Sequence, residues 1–524
     1  MQKSIHLKRL PLAVAVLSGM LGLAKVNQAE ALQLDFGEDS ELSGSLDFTL
    51  GYAAAIRASD AKSAALDPTN NLLGSGATPN YLSDARVPDA GDLISSVFKG
   101  TAELGLGWRN YGFVGTATYQ YDSEIMDGDS VDFLGNPAPW SKAAEDYAGS
   151  DLELLDAYVY GSFEVGGNPL DLRLGKQVIN WGEGLYFLDG VSVQVPLNIN
   201  KLVTPGSELK EGYIGVNSVY AQLGIGDSSS LSAYLQTDWE RAEFGPRGTF
   251  YGDDVLFRGG TETDPLLGVP IRDNDVEPDE GGQWGIAGRT FVTDDTELGL
   301  YYSHYHETFP FLQLAFPSNS ATGLRQIWPE DLDMYGASFA TTLGTWSLNG
   351  ELAYRPDRPL WTNLATFDAK GRNIEKHDTV NASVHGIWLG GALPLGIDAQ
   401  LLTVQFGADY IDGDLDNLQA HNSIHSEALS PDRLSYGVAA QWNGTWQAIY
   451  PGTDLTLGLF LQKDLQGNSH FWGNFAEDRL LGTLSLTANI GNAWEARAGY
   501  TWVNQDNSNY ESQDVVNLSV NYKF

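Results

Sequence analysis

HNSIHSE places His421 and His425 four residues apart, a spacing that sets two zinc ligands on one face of a helix. A zinc hydrolase needs its general base directly after the first histidine, and Asn422 stands there in a segment of loop-forming residues. His304-Tyr305-His306 falls where a strand reaches an aromatic interface, a position that histidine occupies without any chemistry. GDS occurs at 128–130 and 226–228, without the flanks of a serine nucleophile, and the second copy is a turn. Acidic clusters such as DPTNN, DGDS, DDV and DNDVEPDE carry oxygen ligands for divalent cations, but their spacing is not that of a calcium loop. With no cysteine there is neither a thiolate site nor a disulfide framework. The chemistry-bearing residues point away from catalysis, and no cofactor or metal is expected.

Two apolar stretches carry more information. GKQVINWGE (175–183) closes a strand with Leu170, Leu172 and Leu174 on one side, and Lys176 breaks the alternation. LYFLDGVSVQVPLNINKLV follows and is far more apolar than an exposed loop. The residues 181–197 are expected to fold inward as a constriction, lined by Trp181, Tyr186 and Phe187 with Glu183 as a polar hinge. A lid packed on a rim is the alternative, and strand overshoot beyond the membrane is a third reading. ETFPFLQLAFPSNSATGLRQIW (307–328) is a second greasy loop, in which Phe309, Phe311, Phe316 and Trp328 form either a capture site for hydrophobic molecules or a packing surface for neighbouring loops.

The elements that hold these stretches are strands. LDFTLGYAAAI, LLTVQFGADY, LTLGLFL, LGTLSLTANI, WEARAGYTW and the closing DVVNLSVNYKF all alternate apolar and polar residues with a period of two. RNYG, VGGNP, GIGDSS, TDD, LGT, YPGT and IGNA join them in pairs, and long acidic stretches such as 58–95, 123–150, 241–282 and 412–433 separate the pairs. Short turns on one side and long loops on the other are the pattern of a transmembrane antiparallel β-barrel. Lipid offers no hydrogen-bond partners, so such a sheet must close. The fold class is therefore all-β, with roughly 18 strands and 16 as the alternative. Trp108, Trp346 and Trp494 lie beside short turns, and Tyr121, Trp239, Tyr302, Tyr354 and Trp502 lie toward long loops, as two aromatic girdles require.

The chain ends fit export. Lys3, Lys8 and Arg9, an apolar run and Ala29-Glu30-Ala31 make 1–31 a signal peptide and 32–524 the barrel. With the first strand beginning by about Leu42, no plug domain precedes the barrel. A formal charge of −38 leaves little basic surface for nucleic acid, and no inward basic ladder is evident among 30 lysines and arginines.

Residues 153–212, with LLDAYVYGSFEVGGNPLDLRLGKQVINWGEGLYF and NINKLVTPGSELKEG, resemble the DUF1302 family of Gram-negative outer-membrane proteins. GDLISSVFKGTAELGLGWRNYGFVGTATYQYD and AYRPDRPL resemble further blocks of it. The resemblance implies a Gram-negative outer-membrane location, surrounded by lipid and lipopolysaccharide, with Phe524 as the terminal signal read by the barrel assembly machinery. It also implies a channel for hydrophobic or amphipathic compounds, working with a periplasmic lipid carrier and an inner-membrane exporter. A general or cation-preferring porin is the alternative, and a structural part of a lipid-export assembly is a third reading.

Overall fold

The computed structural model describes residues 32–524 apart from 35, 38–39, 61–88, 129–138, 247–248, 253–274, 316–322, 363–373, 419–429, 472 and 506–512. The expectations for the 1–31 leader, for Phe316 and for His421 and His425 lie outside the described residues.

One antiparallel sheet of 19 strands accounts for nearly all the regular structure, and one of these is the two-residue piece Leu32–Gln33. The remaining 18 run in chain order. They begin with β1 (Leu42–Arg57), β2 (Leu93–Trp108), β3 (Tyr111–Asp122), β4 (Ser150–Val165), β5 (Asn168–Gln177) and β6 (Val216–Ile225). Next come β7 (Ser229–Gln236), β8 (Trp284–Thr293), β9 (Thr296–Tyr305), β10 (Leu332–Leu343), β11 (Trp346–Trp361) and β12 (Ile374–Gly390). The last are β13 (Ala399–Ile411), β14 (Leu434–Tyr450), β15 (Thr453–Gln466), β16 (Leu480–Ile490), β17 (Trp494–Asn504) and β18 (Val515–Lys523). Each strand pairs with its sequence neighbours, and β18 returns to β1 with Thr49 opposite Lys523 and Arg57 opposite Val515. The barrel is closed. The segments near 170–180 and 283–306, where alternation is weakest, are strands, and this decides for 18 over 16.

Alternation sorts each strand into two faces. On β16, Leu484 and Leu486 are exposed on the outside while Thr483, Ser485 and Thr487 turn inward. On β13, Phe406 is exposed outward, whereas Gln405 and Asp409 are buried inside. A bilayer would favour this exterior, since a charged side chain on the lipid face costs about 2–4 kcal/mol at the midplane.

Both girdles are present. Trp284, Tyr302, Tyr335 and Tyr354 form a chain of ring contacts at 5.1, 5.2 and 6.4 Å toward the long loops. Trp108 and Tyr111 stack at 6.0 Å, and Trp346 and Trp388 meet at 6.3 Å, beside the short turns. Tyr354 lies eight residues along β11 from Trp346, about 26 Å of strand or about 20 Å of height once strand tilt is included. Trp239 is the exception, because it leaves the wall to pack edge-on against Trp328 at 5.4 Å. At the closing seam, Phe48 and Phe524 exchange both backbone hydrogen bonds at 2.9 Å.

Candidate functional site

Between β5 and β6 the chain leaves the wall and crosses the barrel interior as the segment 178–215. Lys176 sits one residue from the end of β5, opposite Asn217, so the break in alternation marks the strand's end. The segment then meets inward side chains of strands on opposite sides of the barrel.

Trp181 is 3% exposed, tucked against Tyr234 at 4.9 Å and Tyr301 at 6.0 Å, and its carbonyl accepts from Arg289 Nη2 at 2.7 Å. The Glu183 N–H donates to Glu351 Oε2 of β11 at 2.8 Å. Burial raises the Glu183 carboxyl, Arg289 opposes that shift and Glu351 reinforces it. Leu185 and Tyr186 donate backbone N–H groups to Gln405 Oε1 of β13, and the Tyr186 hydroxyl donates to Gln441 Oε1 of β14 at 3.1 Å. Tyr186 lies 5.2 Å from Phe460 and Phe187 lies 4.8 Å from Phe475. Gly190 permits the closest approach: a Cβ there would stand 1.8 Å from Glu351 Oε1.

An ion network that alternation and spacing did not reveal anchors the segment. Arg358 Nη1 donates to both Asp189 oxygens at 2.8 and 2.7 Å, and its Nη2 donates to Glu307 Oε2 at 2.9 Å. Arg355 lies 3.3 Å from the same carboxylate and donates to the carbonyls of Asp189 and Gly190. All four charged side chains are buried. Two arginines three apart on a strand should face opposite ways, but a bulge between Arg355 and Arg358, with Asp357 at φ 48°, brings both inside. The family-like block AYRPDRPL contained this signal without the bulge that explains it. Beside the network, Asp409 accepts from Ser469, Asn381 and Asn474, and Asn474 Oδ1 accepts from the Leu188 N–H at 2.8 Å.

The second half of the segment reaches the other wall. Asn198 caps the short helix Ile199–Val203, whose Lys201 lies 2.7 Å from Asp151 of β4. Lys99 of β2 donates to Ser207 at 2.7 Å and pairs with Glu211, while Lys210 pairs with Glu103 at 2.9 Å. The expected inward stretch of 181–197 is thus part of a longer one, and NINKLVTPGSELKEG belongs to it. The interior is thus crossed by a segment that runs between two neighbouring strands of the wall.

The second greasy loop has a different place. Phe309, Phe311 and Trp328 are buried at 6, 3 and 5% exposure. Phe309 and Phe311 join Ile327, Trp361, Ile374 and Phe471 in one cluster, with Leu188 and Leu197 of the segment against it. Trp328 donates its indole N–H to the Thr308 carbonyl at 3.1 Å. These rings therefore form a loop core that backs the segment and offer no exposed surface. This corrects the capture-site expectation for the described residues, because packing has taken the apolar area that capture would need.

The unpinned surface of the segment is apolar. Leu185, Leu202 and Leu209 are 50, 42 and 66% exposed. The inward wall of β14–β17 carries hydroxyls, with Thr445 and Thr456 in contact at 3.0 Å and Thr483 and Thr501 at 3.0 Å. Among the described residues no group of three or more acidic or histidine side chains is arranged to hold a metal.

A model for a protein family of unknown function, DUF1302, matches residues 10–524. The chain belongs to the DUF1302 family. No curated protein matches it by sequence. Among solved structures, the DUF1302 chain is similar to OccAB1 of Acinetobacter baumannii, at 11% identity and TM-score 0.45, over 95% of this chain and 98% of that one. It is also similar to OccK8 (OprE) of Pseudomonas aeruginosa, at 10% identity and TM-score 0.43, over 94% and 99%. OmpF of Salmonella typhi, in complex with daunomycin, is similar at 8% identity and TM-score 0.38, over 94% and 100%.

The anchor of this DUF1302 segment is acid-sensitive. Burial opposes charge on Asp189, but Arg355 and Arg358 outweigh it and hold the carboxyl below its usual range. Burial, and then the Arg358 guanidinium, pushes His470 down to about 3, so its docked ring is neutral at pH 7. A released ring titrates near 6.5. The released form thus binds more protons on His470 below that value, and the His470 contribution to docking is lost as pH falls from about 6.5 toward 3. The Asp189 contribution is lost only lower, as pH falls through its depressed value. Ion conductance should therefore rise between pH 7 and pH 5, and His470→Gln should flatten that rise. Constant conductance over this range in the native protein would remove His470 from the anchor.

Proposed function

We propose that this protein is an outer-membrane channel that passes small amphipathic molecules along the free side of its luminal segment. A closed barrel with an apolar exterior between two aromatic girdles supports a membrane-spanning role. The observation that carries the substrate class is the exposure of Leu185, Leu202 and Leu209 on a segment held inside the barrel. Leucines facing water are unfavourable by about 25 cal/mol per Å², whereas a passing apolar group would cover them. The threonines on the inward wall of β14–β17 suit the polar end of the same molecule. Trp181 and Phe187 act in this reading as the buried side of the constriction, and Tyr186 sets its width between Phe460 and Gln441.

Serine at all three leucine positions should slow uptake of a fluorescent amphipathic probe into proteoliposomes severalfold while leaving ion conductance at or above the native level. Equal uptake by the native and triple-serine barrels would contradict the reading. A cation-preferring porin has its own support in the inward acids Glu103, Glu297, Glu351 and Glu495. For that reading, uptake would be insensitive to the leucines and the reversal potential in a salt gradient would be strongly cation-selective.

A further inference from the structure

Arg173 stands at the centre of three strands, with Tyr160 of β4 opposite on one side and Tyr220 of β6 opposite on the other. Its neighbours Leu172 and Leu174 are exposed outward, so Arg173 faces the lumen, where it is exposed to solvent. The guanidinium lies 5.7 Å from the Tyr158 ring centroid and 5.5 Å from that of Tyr220. The two rings flank the guanidinium at cation–π distance, and its planar fork presents N–H donors. Among the described residues, no hydrogen-bond acceptor engages that fork and no carboxylate lies within ion-pair distance of it; Asp156 of β4 interacts with it only through space, and the nearby Asp171 accepts from Ser162 at 2.5 Å. The chain has 68 acidic and 30 basic residues, so an inward arginine has carboxylates to choose from. Arg355 and Arg358 have taken theirs.

We infer that Arg173 is the site at which the channel recognises the carboxylate of an amphipathic monoacid. A planar guanidinium binds a carboxylate in bidentate fashion, which a lysine cannot do. The surrounding inward acids oppose a second negative charge, so a monoanion fits and a phosphate dianion does not. The inference rests on the amphipath reading above. Arg497 of β17 provides an internal comparison. It also faces inward and is solvent-exposed, pairing in register with Thr487 and Ser519, but no aromatic ring flanks it among the described residues.

Block of single-channel current by octanoate and by octanol at pH 8 tests this. The native channel should be blocked by octanoate at about tenfold lower concentration than by octanol. Arg173→Gln should lose that preference and keep the octanol block, Arg173→Lys should keep only part of it, and Arg497→Gln should keep it whole. Full octanoate preference in Arg173→Gln, or loss of it in Arg497→Gln alone, would overturn the assignment while the amphipath reading stands. Failure of both compounds to block the native channel would overturn the amphipath reading and the assignment with it.

Discussion

Asp189→Ala should open the channel. The substitution leaves Arg355 and Arg358 buried with one carboxylate, Glu307, between them. Removing one partner of a buried ion pair costs roughly 3–5 kcal/mol, which shifts the docked-to-released balance of the segment by about two to nearly four orders of magnitude. The barrel wall has its own ladder of hydrogen bonds, so the strands should stay folded while the segment comes away. Conductance should rise severalfold, and trypsin should gain access to Lys201, which is buried in the docked state. Heat-modifiable migration on unboiled gels would report that the barrel itself remains closed. Asp189→Asn keeps the shape and loses the charge, so it should fall between the native protein and the alanine variant. Native conductance with native resistance to trypsin in the alanine variant would show that the ion network does not hold the segment.

Deleting Phe524 should lower the yield of folded barrel. The residue contributes both backbone hydrogen bonds to Phe48, stacks on that ring at 5.5 Å and stacks on Tyr522 at 5.6 Å. Two hydrogen bonds at about 1 kcal/mol each and a ring contact of similar size make the seam weaker by about 3 kcal/mol. The seam joins the first and last strands, so its register is set only when the rest of the sheet is in place. A terminal role in assembly would add a kinetic loss to this thermodynamic one. Refolding of the purified chain into detergent isolates the first effect, and folded yield in cells reports both. Unchanged yields in both settings would remove Phe524 from closure and from assembly.

Strand identity was legible because lipid-facing strands obey one rule, alternation, over nearly their whole length. The turns were legible from their Gly, Asn, Asp and Pro residues, and the need of a barrel to close brings DVVNLSVNYKF against β1. The luminal segment was legible only in part. Its apolarity at 181–197 announced burial, and Trp181 and Phe187 are buried. The polar half from Asn198 to Glu211 gave no such signal, because it is held by ion pairs to Lys99 and Glu103 of β2 and to Asp151 of β4. Pairing across the lumen has no period in sequence. The bulge that aligns Arg355 with Arg358 is likewise a property of backbone geometry, invisible in residue types alone. In the second greasy loop apolar composition left capture and packing open, and the structure places Phe309 and Phe311 against other loops and the segment itself.

The central claim is that an amphipathic molecule crosses the barrel along the segment that fills it. Uptake of a membrane-impermeant amphipathic dye by vesicles bearing the native barrel, compared with protein-free vesicles, tests this most directly. Saturable uptake well above the protein-free rate, accompanied by only a small ion conductance, is the predicted result. Uptake equal to that of protein-free vesicles, from a barrel that conducts ions steadily, would contradict it.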